Sequence, residues 1–531
     1  MKKKEYYLLY LIAVIFFALI TIFQKVPGYM DAEYYYGQSI QIVYKNGLFE
    51  PFIWNYLNHP AAVPVPAFSF WMPLTSLISS IGLVLMRTEQ FYAARLPFVL
   101  LAGLVPVISA YFAEEFLPDK RAGWIAGSLA LFSGLYLPYL TLTDTFTPYM
   151  VLGGIFFLLV FKMIFDSRNR FYDRFGYFGL GLIVGLLNLT RTDGILWLIA
   201  GILSILIINY KDRPRNELVW SKFIDFIKLA LGFAIIMLPW FLRNYLTFQS
   251  IFPPGNSYVI WFTKYDDLFT YPAEQLTFIR WIDTGIGSIL IDRFIALGSN
   301  LQTLIAVGGG IILFPFMVIG IWIKRNHQVI IVMIVMLLTL LGLMSFVFPY
   351  AGERGGFFHS LASMQIIFWS LVPLGLHSAV NFGVKLRKWD ITRSWKLFGI
   401  TLIAVMCLFS AFYFIGKISI GQEGNKPWNE TQDNYLQIEQ KIDDLKRDKT
   451  GIVMVNNPPG YFLATGRSAI VIPAGGIDAI ANASIHYKAK YIIVDNERLE
   501  VKALLTKEIL PEWQLEKLFE FGDSQVYEIK Q

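Results

Sequence analysis

Cysteine, histidine and charge are all scarce in this sequence of 531 residues. The single cysteine excludes a disulfide scaffold, and a zinc cage built from about four cysteine and histidine ligands is excluded for the same reason. Charged residues make up 16% of the chain and hydrophobic residues 55%, against about 25% and about 45–50% in soluble proteins. The apolar content excludes a disordered chain. No repeat of about 20–50 residues is present, which argues against a solenoid.

Long hydrophobic runs are what the sequence has instead. A helix needs about 20 mostly apolar residues to cross a bilayer. The runs of this kind are 6–23, 94–116, 122–141, 145–165, 176–190, 194–209, 225–243, 302–323, 329–348, 361–383 and 397–416. A further run, 63–86, is ambiguous because Pro64, Pro66 and Pro73 interrupt its first half.

The positions of lysine and arginine predict the orientation, because cytoplasmic loops carry the excess of both. The basic segment 2–4 places the N-terminus inside. If 63–86 lies along the membrane surface, the basic loops 166–174, 210–222 and 385–396 also fall inside. The sequence therefore predicts a multi-pass protein of the cell membrane with about eleven transmembrane helices, a cytoplasmic N-terminus and an extracytoplasmic C-terminus. We expect the first run to be retained, since no signal-peptide cleavage motif follows it.

The composition changes at Lys417, which divides the prediction into two domains. Residues 1–416 form the membrane domain, with an outer loop at 24–93 that holds juxtamembrane helices. Residues 417–531 are predicted to form an extracytoplasmic α/β domain, with a helix over 429–447 and strand-like runs at Gly451–Val455, Ala469–Ile472, Tyr491–Val494, 515–520 and 525–529. The net charge of +6 divides into −3 on the tail and +9 on the rest. The excess of positive charge thus reports orientation, and no nucleic-acid partner is predicted.

The first predicted outer loop carries two carboxylates. Its segment Pro27–Tyr36 contains Asp31, Glu33 and Tyr35. One interpretation is structural, because an aspartate caps helices well and tyrosines gather at membrane interfaces. The other is functional, with a carboxylate at the membrane surface acting as a general base. Asn58-His59-Pro60 follows in the same loop and is also explained by a polar turn.

Polar residues also interrupt three later segments of the sequence. Asp144 in Thr143-Asp144-Thr145 either caps the next helix or serves the site. Arg191 and Asp193 interrupt an apolar stretch, and Arg354 and His359 lie between two spans. Arginine presents a planar fork of donors that suits phosphate, and charged groups near membrane segments are usually functional. Snorkelling or a local ion pair is the structural alternative.

Carboxylates and arginines on one membrane face suggest a reaction class. A lipid-phosphate donor would lie in the bilayer with its head group at the surface, and a hydroxyl or amine acceptor would arrive from outside. Two classes of alternative stay open. A transporter or lipid flippase would place ionisable groups near the bilayer midplane and show internal symmetry. A receptor or assembly scaffold would use the tail to bind partners.

At this point the sequence resembles the GT-C superfamily of integral-membrane glycosyltransferases, in the branch of the protein O-mannosyltransferases and the aminoarabinose transferase of lipid A. The resemblance covers about residues 1–380 and rests on the order of several short motifs. They are Asp31-Ala32-Glu33-Tyr34-Tyr35, His59-Pro60, Ala94-Arg95-Leu96-Pro97, Arg121-Ala122-Gly123, Leu142-Thr143-Asp144-Thr145, Leu189-Thr190-Arg191-Thr192-Asp193-Gly194 and Pro239-Trp240-Phe241-Leu242-Arg243-Asn244-Tyr245.

The resemblance implies a GT-C fold and an inverting transfer of sugar from a polyprenyl-phosphate donor to a glycan, lipid or protein acceptor on the extracytoplasmic face. It implies that Asp31 is the base, that Asp144 orients the acceptor or holds a metal, and that Arg191 binds the donor phosphate. The remaining expected site residues are Glu33 beside the base, Arg354 at the donor phosphate, and His59, Asp193, His359 and Tyr35 at the substrates.

No cofactor follows with certainty from the sequence. A divalent cation is the candidate, although two separated carboxylates do not by themselves make a metal site.

Overall fold

The computed structural model describes residues 1–45, 47–165, 170–208, 215–421, 427–447, 450–495, 501 and 513–530. It shows a polytopic helical membrane protein with a C-terminal α/β domain. Residues 166–169 and 209–214, within or beside two of the basic loops used for the orientation, lie outside the described residues.

The membrane part is mainly helical. Its helices are α1 (Lys3–Thr21), α2 (Met30–Tyr44), α3 (Leu74–Met86), α4 (Phe91–Ala94), α5 (Leu96–Phe116), α6 (Lys120–Phe132), α7 (Phe146–Phe165), α8 (Arg170–Thr190), α9 (Trp197–Ile207), α10 (Arg215–Phe248), α11 (Phe278–Asp283), α12 (Ile286–Thr303), α13 (Phe314–Ile323), α14 (Gln328–Gly342), α15 (Pro349–Ala351), α16 (Phe357–Leu361), α17 (Gln365–Arg387) and α18 (Ile391–Ile420). Longer non-α segments lie between α2 and α3 and between α10 and α11.

Within the described residues, eight helical segments are long and apolar enough to cross a membrane, and four shorter apolar helices accompany them. The number of about eleven spans remains a prediction. One predicted span, 302–323, is not a single helix. It is divided between the end of the segment Ile286–Gly308 and α13, with Gly310 and Ile311 at positive φ between them. Sequence reasoning missed the segment starting at Ile286 because Asp292 and Arg293 interrupt its apolar pattern.

The chain between α6 and α7 is buried although it forms no long helix. The predicted run 122–141 stays α-helical only to Phe132, where Ser133 turns the chain with a φ of 48°. The segment that follows ends at Asp144, which is 1% exposed. A buried loop must satisfy its backbone polar groups internally, and the Arg95 side chain donates to one of them, the Thr141 carbonyl.

Arg95 lies at the start of α5 and is 2% exposed. Its guanidinium donates to the carbonyl of Thr141 at 3.0 Å, to the hydroxyl of the same residue at 2.7 Å and to the carbonyl of Gln24 at 2.5 Å. The Gln24 segment leads to α2, and the Thr141 segment leads to Asp144. Through these hydrogen bonds, Arg95 therefore links the segment that leads to Asp31 on α2 with the segment that ends at Asp144.

The C-terminal domain is an open sheet covered by helices. Its strands are β2 (Phe52–Ile53), β4 (Ile452–Val455), β5 (Ala469–Val471), β6 (Ala489–Val494), β7 (Gln514–Phe521) and β8 (Ser524–Lys530), in the order β2-β5-β4-β6-β8-β7. Its helices are α19 (Asp433–Asp444), α20 (Pro458–Thr465) and α21 (Gly476–His486). The predicted helix and all five predicted strands are confirmed, including the final hairpin.

The loop after α1 contributes β2 to this sheet. β2 pairs in parallel with β5, with Phe52 opposite Ala469. The same loop also forms a small antiparallel pair of β1 (Phe49–Glu50) with β3 (Val65–Pro66). The Tyr56 hydroxyl donates to the carbonyl of Val471. The loop is therefore part of the fold of the C-terminal domain as well as of the membrane domain.

Candidate active site

A cavity of about 950 Å³ lies where the loops of the membrane part meet the C-terminal domain. Its wall includes six of the nine residues predicted from the sequence. These are Asp31, Tyr35, Arg191, Asp193, Arg354 and His359. Polar residues from the C-terminal domain, among them Asn456, Asn457, Asp495 and Asp523, line the same cavity. The cavity thus brings together side chains that are far apart in sequence.

Asp31, Asp144 and His359 form a cluster on one wall. The His359 Nε2 atom lies 3.8 Å from an Asp31 carboxylate oxygen, and its Nδ1 atom lies 3.9 Å from a carboxylate oxygen of Asp144. One potential ligand atom from each of the three lies within 4.8 Å of the others. Asp31 is 34% exposed and opens on the cavity, whereas Asp144 is buried behind it.

Helix geometry and packing hold this cluster in place. Asp31 lies in the first turn of α2, where a carboxylate is favoured by the helix dipole. Asp144 accepts hydrogen bonds from the Tyr29 hydroxyl and the Thr145 backbone N–H. The His359 ring stacks on Phe146 at 3.9 Å and is hydrogen-bonded to the Thr145 hydroxyl at 2.9 Å.

Burial and mutual repulsion act on the two carboxylates. Burial raises the pKa of Asp31 above its usual range, and the neighbouring Asp144 raises it further, while Arg191 opposes both effects. Burial also raises the pKa of Asp144, against the hydrogen bonds from Tyr29 and Thr145. A carboxylate with a raised pKa accepts a proton more readily than an ordinary aspartate does. The environment of Asp31 therefore suits a general base.

Arg191 lies directly after α8 and contacts the turn at Gly352–Gly356. It follows the last residue of α8 in extended backbone and precedes a 3₁₀ turn over Thr192–Leu196. Its Nε donates to Asp193 at 2.9 Å and its Nη2 donates to the Gly356 carbonyl at 3.4 Å. Asp193 in turn accepts from the Ser360 hydroxyl. The local ion pair foreseen as the structural alternative is present, and it also orients the guanidinium, which lines the cavity.

Arg354 and Tyr35 line other parts of the wall. Arg354 lies in a π-helical turn, Gly352–Gly356, with its guanidinium 5.0 Å from the centre of the Tyr265 ring. Tyr35 stacks on Trp71, and Trp71 stacks on Trp54 at 4.1 Å. The aromatic wall and the charged wall face one cavity, as expected for a site that takes an amphipathic ligand.

Glu33 and His59 are not among the residues that line the cavity. Glu33 is 1% exposed and accepts a hydrogen bond from the Asn457 side chain at 2.6 Å. Gly460 permits this contact, because a Cβ there would lie 2.6 Å from the Glu33 carboxylate. His59 is 41% exposed and contacts Tyr258 and Glu274. The geometry thus places Glu33 at the junction of α2 with the C-terminal domain.

Glu33→Gln is expected to stabilise the protein at pH 8 and to leave its stability at pH 4 nearly unchanged. Burial raises the pKa of Glu33 to about 6, above the unfolded value of about 4.3. The folded state therefore binds the proton more tightly, and stability falls as the pH rises from about 4 through 6. The neutral amide avoids this loss, which is about 2 kcal/mol. Thermal unfolding of both proteins at the two pH values measures it, and equal stability at pH 8 would contradict it.

Several residues of the site carry no sequence signal of their own. Tyr29 and Ser360 donate hydrogen bonds to Asp144 and Asp193. Phe146, which stacks on His359, is one aromatic residue among many in the membrane part. Asp495 and Asp523 come from a tail whose role in the site the sequence left unassigned. A partial signal existed for both, since each follows a predicted strand. What was missing was knowledge of which end of the sheet faces the membrane domain.

No protein-family model and no curated protein sequence matches the chain. Solved structures do match. The apo oligosaccharyltransferase of Archaeoglobus fulgidus superposes with a TM-score of 0.57 at 15% identity, over 93% of this chain and 70% of that one. ArnT from Cupriavidus metallidurans, bound to undecaprenyl phosphate, superposes with a TM-score of 0.55 at 11% identity, over 99% of this chain and 98% of that one.

The chain has the GT-C fold. The resemblance of the short motifs is therefore confirmed at the level of architecture. The match to ArnT extends over nearly the whole of both chains, so the GT-C likeness includes the C-terminal domain. At 11–15% identity, these structures share the GT-C fold with the chain.

Proposed function

We propose that the protein is an inverting glycosyltransferase that moves a sugar from a polyprenyl-phosphate donor to an acceptor hydroxyl or amine on the extracytoplasmic face of the membrane. The observation that carries the proposal is that Asp31, in the first turn of α2, and Arg191, directly after the apolar helix that ends at Thr190, face one cavity. A base and a phosphate-binding cation are the two groups that this transfer needs.

The proposed reaction is a single displacement. The acceptor oxygen or nitrogen attacks the anomeric carbon and forms the new glycosidic bond. The bond between that carbon and the phosphate oxygen breaks, and its electron pair leaves with the polyprenyl phosphate. Asp31 takes the acceptor proton. Arg191 balances the charge on the departing phosphate through donors that are already oriented by Asp193 and Gly356.

The ligands bound in two solved structures with the GT-C fold support the proposed donor class. ArnT was solved with undecaprenyl phosphate, and the Archaeoglobus fulgidus enzyme with a dolichol-phosphate and an inhibitory peptide. The aromatic wall of Tyr35, Trp54 and Trp71 offers this chain an apolar surface beside the charged one.

The test uses the purified full chain with a panel of radiolabelled polyprenyl-phosphate sugars. We expect transfer to an added acceptor, or slow hydrolysis of the donor to water, with at least one member of the panel. The absence of both reactions with every donor would favour the transporter or the scaffold instead.

The cluster of Asp31, Asp144 and His359 has the composition of a divalent-cation site. It offers two carboxylates and an imidazole, a set that suits Zn²⁺ or Mn²⁺ better than the all-oxygen ligand sets of Ca²⁺ or Mg²⁺. A neighbouring structure of the Archaeoglobus fulgidus enzyme contains zinc and sulfate. A cation bound here would add positive charge beside the acceptor and would lower the pKa of Asp31, so the raised pKa described above belongs to the metal-free site.

Chelation is expected to lower the transfer rate, and Zn²⁺ or Mn²⁺ to restore it. In calorimetric titration of the metal-free protein with Zn²⁺, His359→Ala should weaken binding by more than about tenfold. His486→Ala is the matched control, because His486 lies on α21 and does not line the cavity. Full activity in EDTA together with equal Zn²⁺ affinity in both variants would rule out a cation in this site.

A further inference from the structure

The sheet of the C-terminal domain changes direction at one point. The chain passes from β4 to β5 on one side of β4, and then from β5 through α21 to β6 on the other side. β4 and β6 are parallel neighbours, so their carboxyl ends lie side by side. In open α/β sheets, the crevice outside the carboxyl ends at such a switch point is where ligands bind.

Polar residues occupy this switch point. Asn456 directly follows β4, and Asp495 directly follows β6. Asp523 lies in the turn between β7 and β8, at the same edge, because Gln525 pairs with Val494. All three line the cavity that holds Asp31 and Arg191. The switch point of the soluble domain thus opens into the candidate active site.

One acceptor atom at this edge has no hydrogen-bond partner among the described residues. The Asn456 amide nitrogen donates to Asp495. Its carbonyl oxygen Oδ1 is buried and has no hydrogen-bond partner within the described residues. Asn457 caps α20 and donates to Glu33 on α2, two positions from Asp31. The edge is therefore fixed in position relative to the proposed base.

The carboxylate and amide side chains at this edge favour one chemical class of acceptor. Carboxylates and amides together both accept and donate hydrogen bonds, which matches hydroxyl groups, since each hydroxyl does both. Two carboxylates disfavour an anionic acceptor. An extended peptide would pair along an outermost strand of the sheet, β7 or β2. Here the cavity faces the carboxyl ends of the inner strands β4 and β6 instead. A sugar ring with neighbouring hydroxyls fits this arrangement.

We propose that Asn456, Asp495 and Asp523 form the acceptor subsite and bind a neutral sugar through its hydroxyl groups, so that the acceptor is a glycan. The inference rests on the proposed glycosyl transfer and names its acceptor class. The sugar has two sources, a soluble oligosaccharide or the head group of a glycolipid, and both present the same hydroxyls to this edge.

The test is a binding experiment that needs no donor. The detergent-solubilised full chain is applied to an array of neutral oligosaccharides, to the same sugars as glycolipids in nanodiscs, and to an array of cationic and neutral peptides. We expect binding to a subset of glycans in one of the first two formats. Asp495→Asn and Asp523→Asn should each weaken it about ten- to hundredfold, the range for one charged hydrogen bond.

Asp444→Asn is the matched control, since it makes the same change on an exposed position of α19. It should leave glycan affinity unchanged. Binding of undecaprenyl phosphate, measured on the same proteins, should be equal in all variants, because these residues lie on the acceptor side. Glycan binding that depends on Asp495 and Asp523 supports the subsite even if undecaprenyl phosphate fails to bind, an outcome that would count against the proposed donor alone.

Two outcomes would overturn the subsite. One is glycan affinity within twofold of the wild type in the double variant Asp495→Asn/Asp523→Asn. The other is binding to peptides alone, with no glycan retained in either format.

Discussion

Asp31→Asn is expected to lower the transfer rate by about 10²–10⁴-fold, the usual contribution of a positioned base. Asparagine has the shape of aspartate, so the place beside His359 is kept, but its amide cannot accept the acceptor proton. The raised pKa of the Asp31 carboxyl, caused by burial and by Asp144, is lost with it. The measurement is the initial rate with a labelled polyprenyl-phosphate sugar at saturating donor.

Asp283→Asn provides the matched control for this substitution. Asp283 ends α11, is exposed and does not line the cavity. Its variant should express and turn over as the wild type does. An Asp31→Asn protein that elutes as a single species and keeps normal turnover would remove Asp31 from the role of base.

Arg191→Ala is expected to weaken donor use about ten- to hundredfold, as the loss of charged hydrogen bonds to a phosphate predicts. The effect should appear in the KM for the donor and in the affinity for undecaprenyl phosphate. Arg191→Lys should recover only part of it, because an ammonium lacks the planar fork of the guanidinium and loses the geometry set by Asp193 and Gly356.

The control for Arg191 is Arg325→Ala, which removes an exposed arginine after α13. Undecaprenyl-phosphate affinity should be unchanged in that variant. Equal affinity in Arg191→Ala would mean that the guanidinium serves only to hold Asp193 and Ser360, and the donor phosphate would have to bind elsewhere in the cavity.

The sequence signal for the candidate site is clearest where a polar residue interrupts an apolar pattern. Asp31, Arg191 and Asp193 all stand at helix ends, where only a cap, an ion pair or a function explains them. Helical periodicity also explains why Glu33 is different. Two positions on a helix are about 200° apart, so Asp31 and Glu33 face opposite ways. One opens on the cavity, and the other packs against Asn457.

What the sequence could not predict is long-range contact. The hydrogen bond between Thr145 and His359 joins residues 214 positions apart, and no local pattern links them. The same applies to β2, a two-residue strand that is recognisable only beside β5. In the membrane part, the segment 286–308 was missed because a charged pair outweighed its apolar residues in a local count. Hydropathy reports composition, whereas burial depends on neighbours.

The strand β2 also bears on how the molecule is assembled during synthesis. It belongs to the loop after α1, yet its partner β5 is made more than 400 residues later, with Phe52 opposite Ala469. Until then, the loop that carries Asp31 has no sheet to join and Glu33 has no Asn457 to contact. The candidate site is therefore enclosed only after its lining residues 456–523 have been synthesised. A ribosome that stalls before the tail leaves a membrane domain whose candidate site lacks the wall formed by Asn456, Asp495 and Asp523.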